Sequence, residues 1–437
     1  MSQILMQKIR DKEAIIAVVG LGYVGLPMAI AIANAGYKVL GIDISEERID
    51  TLNKGISYII DIENEEIEKV INKMLFTCKD FSVLSSADVI NICVPTPLDQ
   101  LEKPDVSHVE DVINQLIKYM RNETLIILTS TTYPGTTEEL IIQRIEEETH
   151  YKVGSDFFAC FSPERINPGS VDFKTTNTPR VIGGATSICL DLGVALYSKF
   201  TEFIFPVRSL KVAEMSKLLE NSFRFINITM INELALICDE MNINVWEVIE
   251  AASTKPYGFM PFFPGPGIGG HCIPVDPIYL LWKAKSYNID CRFIELADQT
   301  NRKMSTYIVK KVLEILKTAE VVPIDAIVYV IGITYKKDID DLRESPALEI
   351  MQQLMNNKIH VRYYDPYIDQ IEIAGEILYA QYLDEDSIKE ADVVLIVTEH
   401  SCINYDLIVR NGKIIYDTRN ATRGIESNNI ILLGGNR

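Results

Sequence analysis

The sequence predicts an α/β protein with two parallel-sheet domains joined by a central domain built on a long helix. Three observations carry this. Short β-branched runs alternate with apolar helical stretches from Ala14 to Phe161, apolar residues at helical spacing fill Leu210 to Met241, and strand–helix alternation resumes near Pro323. A chain of 437 residues exceeds one ordinary core, so domains are placed at 1–205, 206–320 and 321–437. A hydrophobic content of 47% puts the chain among folded proteins. Its formal charge of −19 argues against a nucleic-acid or anionic-membrane surface, since both need clustered Lys and Arg; any anionic ligand must be met by local cations.

The first strand is read over Ala14 to Val19. It runs into Gly20-Leu21-Gly22-Tyr23-Val24-Gly25 and then an apolar helix from Leu26 to Ala35, the order of a Rossmann-like dinucleotide site. Gly20 permits the tight turn, Gly22 lets a pyrophosphate approach the backbone, and Gly25 lets helix pack on strand, with the helix N-terminus facing the phosphates. Gly20, Gly22, Tyr23, Val24 and Gly25 are thus cofactor-binding candidates. The stretch 14–33 is apolar enough to suggest a membrane span, but three glycines and Pro27 interrupt it and no membrane is expected. The second strand, Lys38 to Ile42, ends on Asp43. That acid accepts both ribose hydroxyls and repels a 2′-phosphate, favouring NAD over NADP; Arg48 softens the preference if it stacks on adenine or reaches a phosphate.

Further strands are read at Ala87 to Val94, Leu125 to Leu128 and Phe157 to Phe161. At their carboxyl ends, where ligands of open parallel sheets sit, stand Pro95-Thr96-Pro97, Ser130-Thr131-Thr132 and Ser162-Pro163-Glu164-Arg165. Each segment reads equally as turn chemistry or a helix cap. On the long helix, Lys217 and Asn221 lie four apart and project from one face; an ammonium beside an amide suits a developing oxyanion, and a solvated helix edge is the other reading. The helical pattern continues to Ala252.

Next comes PGPGIGGHCIPVDP, Pro264 to Pro277, whose glycines and prolines rule out a regular element. At the tip of this shaped loop is Cys272, with His271 beside it and Asp276 four residues on. A thiol among backbone N–H groups that no side chain blocks is a candidate nucleophile, although a lone cysteine is also a small buried hydrophobe. The 8 cysteines are otherwise scattered, with no metal-type spacing to the 5 histidines, so reduced thiols, a cytoplasmic location and no metal are expected. Helices are read over 278–287 and 293–318. A helical middle of this length packs against a copy of itself, so a homodimer or higher homo-oligomer is expected.

The last domain starts with a strand at Ala326 to Ile331 and the loop Gly332 to Asp338. Ser345 then caps a helix with Pro346 in its first position, and strands follow near 361–364, 393–397 and 414–417. Without a GxGxxG turn this domain need not bind a second dinucleotide. Lys336, Arg343 and Arg419 are its candidate phosphate cations, with structural salt bridging as the alternative.

The ordered set GLGYVGLP (20–27), STTYPGTT (130–137), SPER (162–165), KLLEN (217–221), GGHCIPVDP (269–277) and GITYKKDIDDLRESP (332–346) resembles the UDP-sugar 6-dehydrogenase family, from about Ile15 to Arg423. Phe259-Met260-Pro261 before the cysteine loop, and Tyr279 to Lys283 after it, most resemble the branch acting on UDP-N-acetylhexosamines, UDP-GlcNAc or UDP-GalNAc. UDP-ManNAc enzymes tend to carry alanine where Pro274 stands, and UDP-glucose enzymes usually carry serine where His271 stands. The resemblance implies that a C6 hydroxymethyl becomes a carboxylate at the expense of two NAD⁺, for cell-surface polysaccharide precursors. It implies that Cys272 forms a thiohemiacetal and then a thioester, that Lys217 and Asn221 stabilise the oxyanion, and that Asp276 works with a water in proton transfer. Glu164, with Thr131 helping to hold the water, would assist hydrolysis. Thr96, Ser130 and Arg343 match cofactor-contacting positions. Lys336 and Arg419 match substrate-side ones, joined by Glu164, Arg165, Lys217, Asn221, Gly269 and His271. His271 touches the sugar, tunes the thiol or supports the loop, and the three readings stand level. Lys255-Pro256-Tyr257 replaces the segment from which many UDP-glucose enzymes extend an arginine into the neighbouring subunit. The alternatives are a UDP-ManNAc or UDP-glucose 6-dehydrogenase, a one-step NAD-dependent hydroxyacid dehydrogenase with a structural Cys272, and an NAD-binding regulator without turnover.

Overall fold

The computed structural model describes residues 2–59, 61–166 and 175–435. The chain divides into two compact units, Met1–Glu220 with Ile278–Ile289 and Asn221–Pro277 with Asp290–Arg437. Among the described residues no helix is long and apolar enough to cross a membrane.

The first unit is built on an eight-stranded sheet: β1 (Ile15–Val19), β2 (Lys38–Ile42), β3 (Leu75–Cys78), β4 (Val89–Ile92), β5 (Thr124–Leu128), β6 (Phe157–Phe161), β7 (Arg180–Gly184) and β8 (Ile204–Val207). Its spatial order is β3-β2-β1-β4-β5-β6-β7-β8. Every pair is parallel except β6 with β7. Along β1 the side chains alternate between two cores: Ile16 and Val18 pack with the helix Gly25–Asn34, Ala17 and Val19 with the helix Ser107–Tyr119. Helices on both faces explain why β4 to β6 are apolar runs instead of alternating ones. The strand order reverses around β1, with β2 on one side and β4 on the other, so the carboxyl ends of β1 and β4 flank a switch-point crevice.

The second unit holds β9 (Ile327–Ile331), β10 (His360–Tyr364), a small hairpin β11 (Gln370–Ile373) and β12 (Glu376–Tyr379), then β13 (Val393–Ile396), β14 (Ile415–Asp417) and β15 (Ile430–Leu432). Five of these strands form a parallel sheet ordered β10-β9-β13-β14-β15. The helix Arg292–Thr318 lays Met304, Ile308, Val312 and Ile315 onto the core of that sheet. Ser345 accepts a hydrogen bond from Ala347 N and Pro346 opens the helix Pro346–Asn356, as the cap pattern predicts. The long helix spans Leu210–Met241.

The strands that the sequence reading places are all present to within two residues at each end. It does not anticipate β3, β7, β8, the hairpin or β15. In β7 the reason is local: Arg180-Val181-Ile182-Gly183-Gly184 opens on a charge and closes on two glycines, which read as a loop. A Cβ on Gly183 would lie 2.4 Å from Ser209 O and one on Gly184 2.4 Å from Leu190 N, so packing requires these glycines.

Candidate active site

In the first unit the turn after β1 is shaped by two different needs. A Cβ on Gly25 would lie 1.8 Å from Gly20 O, and one on Gly20, at φ +89°, would lie 2.8 Å from Cys93 O, so the chain's own packing demands both glycines. A Cβ on Gly22 would meet nothing within 4 Å. That glycine leaves an open face in front of the helix Gly25–Asn34, whose N-cap Val24 supplies no side-chain hydrogen bond to the first N–H groups. Tyr23 and Val24 are half-buried against the neighbouring core. Asp43, nearly buried at the end of β2, accepts from Leu21 N at 2.8 Å and Ser45 N at 2.9 Å. Its Oδ1, which among the described residues takes only Ser45 N, retains a lone pair for a ribose hydroxyl. Arg48 Nη1 lies 3.4 Å from Asp43 Oδ2 with its guanidinium 5.6 Å over the Tyr58 ring, and the Tyr58 hydroxyl donates to Leu21 O at 2.5 Å. An uncapped helix start, an open glycine face and an acid at the end of β2 fit a dinucleotide.

Beyond β4, β5 and β6 the predicted loops form two connected sets. The hydroxyl of Thr96 donates to Thr131 O at 2.7 Å, Ser130 Oγ to Val94 O at 2.7 Å, and the Tyr279 hydroxyl to Thr96 O at 2.6 Å. Glu164, mostly buried, accepts from the backbone N–H groups of Arg165 at 2.8 Å and Ile166 at 2.9 Å through Oε1, while Oε2 pairs with Arg180. Lys217 Nζ donates to Glu164 O at 2.7 Å, and Arg165 pairs with Glu220 and donates to Pro179 O. Thr131 therefore joins Thr96 through its carbonyl and does not hydrogen-bond Glu164. Two groups escape the sequence reading. Arg180 is wholly buried beside Glu164. Glu214, also buried, accepts from Gly135 N at 2.6 Å and from Thr137 N at 3.0 Å and Oγ1 at 2.7 Å; burial pushes its carboxyl up against these bonds.

In the second unit the cysteine loop is held by two amides on long helices. Asn232 accepts from Gly265 N at 2.9 Å, and Asn301 accepts from Ile268 N at 2.7 Å while donating to Ile268 O at 3.2 Å. Neither asparagine is conspicuous in sequence; the available signal is an amide on an otherwise apolar helix face. Gly270 N donates to Arg343 O at 2.9 Å, and a Cβ on Gly269 would meet Glu344 O at 2.4 Å. One on Gly265 would lie 2.5 Å from Arg419 Nη1. The loop backbone thus lies directly on Arg419 and on the segment carrying Arg343. Half-buried Cys272 closes a turn whose carbonyl accepts from Asp276 N at 2.9 Å, just before the helix Asp276–Lys285. Asp276 in turn accepts from the amide of Asn221, which is fully buried. Arg343 is paired with Asp341 and Arg419 with Glu399. The Lys336 loop is tied down by buried His400, whose Nδ1 accepts from Asp338 N at 3.0 Å while Nε2 lies 3.1 Å from Asp365 Oδ2.

The sequence matches three parts of one family: the NAD binding domain of the UDP-glucose/GDP-mannose dehydrogenase family over residues 14–201, its central domain over 211–303 and its UDP binding domain over 329–424. It is 36% identical over 412 residues to a UDP-N-acetyl-D-mannosamine dehydrogenase of Pyrococcus horikoshii, covering 93% of this chain and 95% of the relative. It is 35% identical over 358 residues to a UDP-N-acetyl-D-glucosamine 6-dehydrogenase of Pseudomonas aeruginosa, covering 82% and 84%. The fold is similar to a solved UDP-D-ManNAc dehydrogenase from Pyrococcus horikoshii, with TM-score 0.88 at 36% identity over 96% of this chain and 99% of that one.

Proposed function

The chain belongs to the UDP-glucose/GDP-mannose dehydrogenase family, and from that premise we propose that it oxidises the C6 hydroxymethyl of a UDP-N-acetylhexosamine, UDP-GlcNAc or UDP-GalNAc, to the uronic acid. It is an NAD-binding oxidoreductase of that family. The observation that carries the finer reading is the shaped cysteine loop seated on Arg419 and on the Arg343 segment, within the unit that bears the UDP binding domain match. A loop that carries a thiol and packs on Arg419 suits a substrate with a reactive carbon at one end and a diphosphate at the other.

NAD, held at Gly20 to Gly25 and Asp43, supplies the hydride acceptor for each of the two oxidations. The chain's own residues do the rest. Cys272 thiolate adds to the C6 aldehyde, so the intermediate stays bound as a thiohemiacetal and is next held as a thioester. Lys217 and one N–H of Asn221 stabilise the oxyanion; the other N–H is committed to Asp276, which it orients for proton transfer with a water. In hydrolysis a water oxygen bonds to the acyl carbon, the C–S bond breaks, the water proton passes to Glu164 and the thiolate returns to Cys272. Exposed Leu219, Phe223, Met230 and Ile237 form one stripe on the helix Leu210–Met241, which supports a homodimer.

UDP-ManNAc is the second reading, favoured by the 36% identical Pyrococcus relative. Initial rates with UDP-Glc, UDP-GlcNAc, UDP-GalNAc and UDP-ManNAc, together with NADH formed per product, test both levels. A kcat/KM highest for UDP-Glc ends the acetamido reading. One NADH per product ends the four-electron reading.

A further inference from the structure

We propose that Arg180 is a positioning residue for Glu164, fixing the rotamer of that carboxylate for its part in thioester hydrolysis. The inference rests on the function proposed above. It starts from an oddity of composition: Arg180 opens β7 and is only 1% exposed, on a sheet face otherwise made of Cys160, Ile182 and neighbouring apolar side chains. A buried guanidinium is tolerated only where a partner neutralises it. Among the described residues its ion-pair partner is Glu164, and its Nε and Nη1 have no hydrogen-bond partner there. Its guanidinium carbon stands 5.4 Å from the centroid of the Tyr197 ring, and the Tyr197 hydroxyl is fixed by Asn91 Oδ1 at 2.9 Å. The cation is therefore packed in place by an aromatic face and spends its charge on one carboxylate.

The other groups facing Glu164 sharpen the assignment. Lys217 touches the backbone carbonyl of Glu164, not its carboxylate, and Arg165 turns to Glu220. Cys93 and Tyr197 are neutral near pH 7, because burial pushes the Cys93 thiol up to about 12 and the Tyr197 phenol higher still. Arg180 is thus the cation that meets the carboxylate itself. With Oε1 taking two backbone N–H groups and Oε2 taking Arg180, the rotamer is fixed and, among the described residues, Oε2 keeps a lone pair for a water. A merely structural ion pair would not need a carboxylate at the carboxyl end of a parallel strand, where the chemistry of such sheets is done.

The test uses the full-length enzyme, Arg180→Lys, Arg180→Met and Glu164→Gln, with the substrate that the panel above selects. Arg180→Lys keeps the charge and loses the planar fork. Its kcat is expected to fall about 10- to 100-fold, as when a general base loses its orienting partner. KM for the sugar nucleotide should fall with kcat, leaving kcat/KM within about threefold of the wild type, because the slowed step follows formation of the thioester. Intact mass of acid-quenched enzyme should show the acyl adduct on Cys272 accumulating, as in Glu164→Gln. Arg180→Met should lie closer still to Glu164→Gln; if it does not fold, Arg180→Lys decides alone. A folded Arg180→Lys whose kcat and adduct level match those of the wild type overturns the proposal. One NADH per product from the wild type, with no adduct in any variant, overturns the functional reading and this inference with it.

Discussion

Two alanine substitutions in one turn separate what the fold needs from what the cofactor needs. In Gly25→Ala the new Cβ sits 1.8 Å from Gly20 O, more than an ångström inside the 3.0 Å that real Cβ contacts keep, and backbone cannot swing away as a side chain would. Overpacking of this kind costs about 1–3 kcal/mol. That lowers Tm by about 2–10 °C for a unit of this size and, if the turn opens, weakens NAD by about 5- to 150-fold. In Gly22→Ala the Cβ meets no protein atom within 4 Å, and no left-handed φ is required there. Stability should be unchanged, with Tm within about 1 °C of the wild type. Yet a methyl on the face that the pyrophosphate approaches removes that approach, and NAD should weaken by about tenfold or more, the overpacking cost again. Calorimetric NAD titration read beside scanning calorimetry checks both. A Gly22→Ala protein that binds NAD within about twofold of the wild type refutes the assignment, since 1 kcal/mol is already a factor of about five.

Asn301→Ala deletes the acceptor for Ile268 N and frees the cysteine loop at one anchor; kcat/KM should fall about 10- to 100-fold, the equivalent of a lost buried hydrogen bond, with NAD affinity unchanged, and a loss under twofold would show the loop is held elsewhere. Glu214 titrates with a raised folded value because it is buried, so its contribution to stability is full below about 4.5 and is lost as pH rises through that raised value. The wild-type protein should therefore gain on Glu214→Gln in unfolding free energy as pH drops from 7 toward 4.5, and a difference flat with pH, measured by denaturant titration, contradicts the burial effect. Leu219→Glu with Phe223→Glu places two charges in the exposed apolar stripe. Multi-angle light scattering should show a dimer become a monomer, and a wild type already monomeric at assay concentration ends the homodimer reading.

The architecture was legible where local signals agree with the global fold. β1, β2, β4, β5, β9 and β13 are mainly apolar runs rich in Val and Ile, β6 is a run of Phe, Ala and Cys, and the Ser345-Pro346 start carries its own cap chemistry. β3 and β8 are short, and Pro206 stands inside β8. β7 is invisible for the further reason that its glycines answer to Ser209 and Leu190. No window of sequence contains both the glycine and the residue that makes it necessary.

The same distinction divides the site. Cys272, Asp276, Lys217 and Asn221 stand in motifs whose spacing advertises them, because helix and loop geometry over four residues is enough to set each pair side by side. Arg180, Asn232 and Asn301 act over sequence separations of 16, 33 and 33 residues from Glu164, Gly265 and Ile268. Each is an ordinary polar residue locally; Arg180 and Asn232 are made significant by burial, half-buried Asn301 by its two bonds to Ile268. A polar side chain is driven into an apolar interior only where its partner's gain exceeds the desolvation loss, so burial of an arginine or an asparagine already states that a specific acceptor or donor is being held. The irregular shape of the cysteine loop is legible in its own glycines and prolines; its anchoring lies in the two long helices and in Arg419. Substitutions at Asn232, Asn301 and Arg180 should consequently change rate although none of them removes a proposed reacting group.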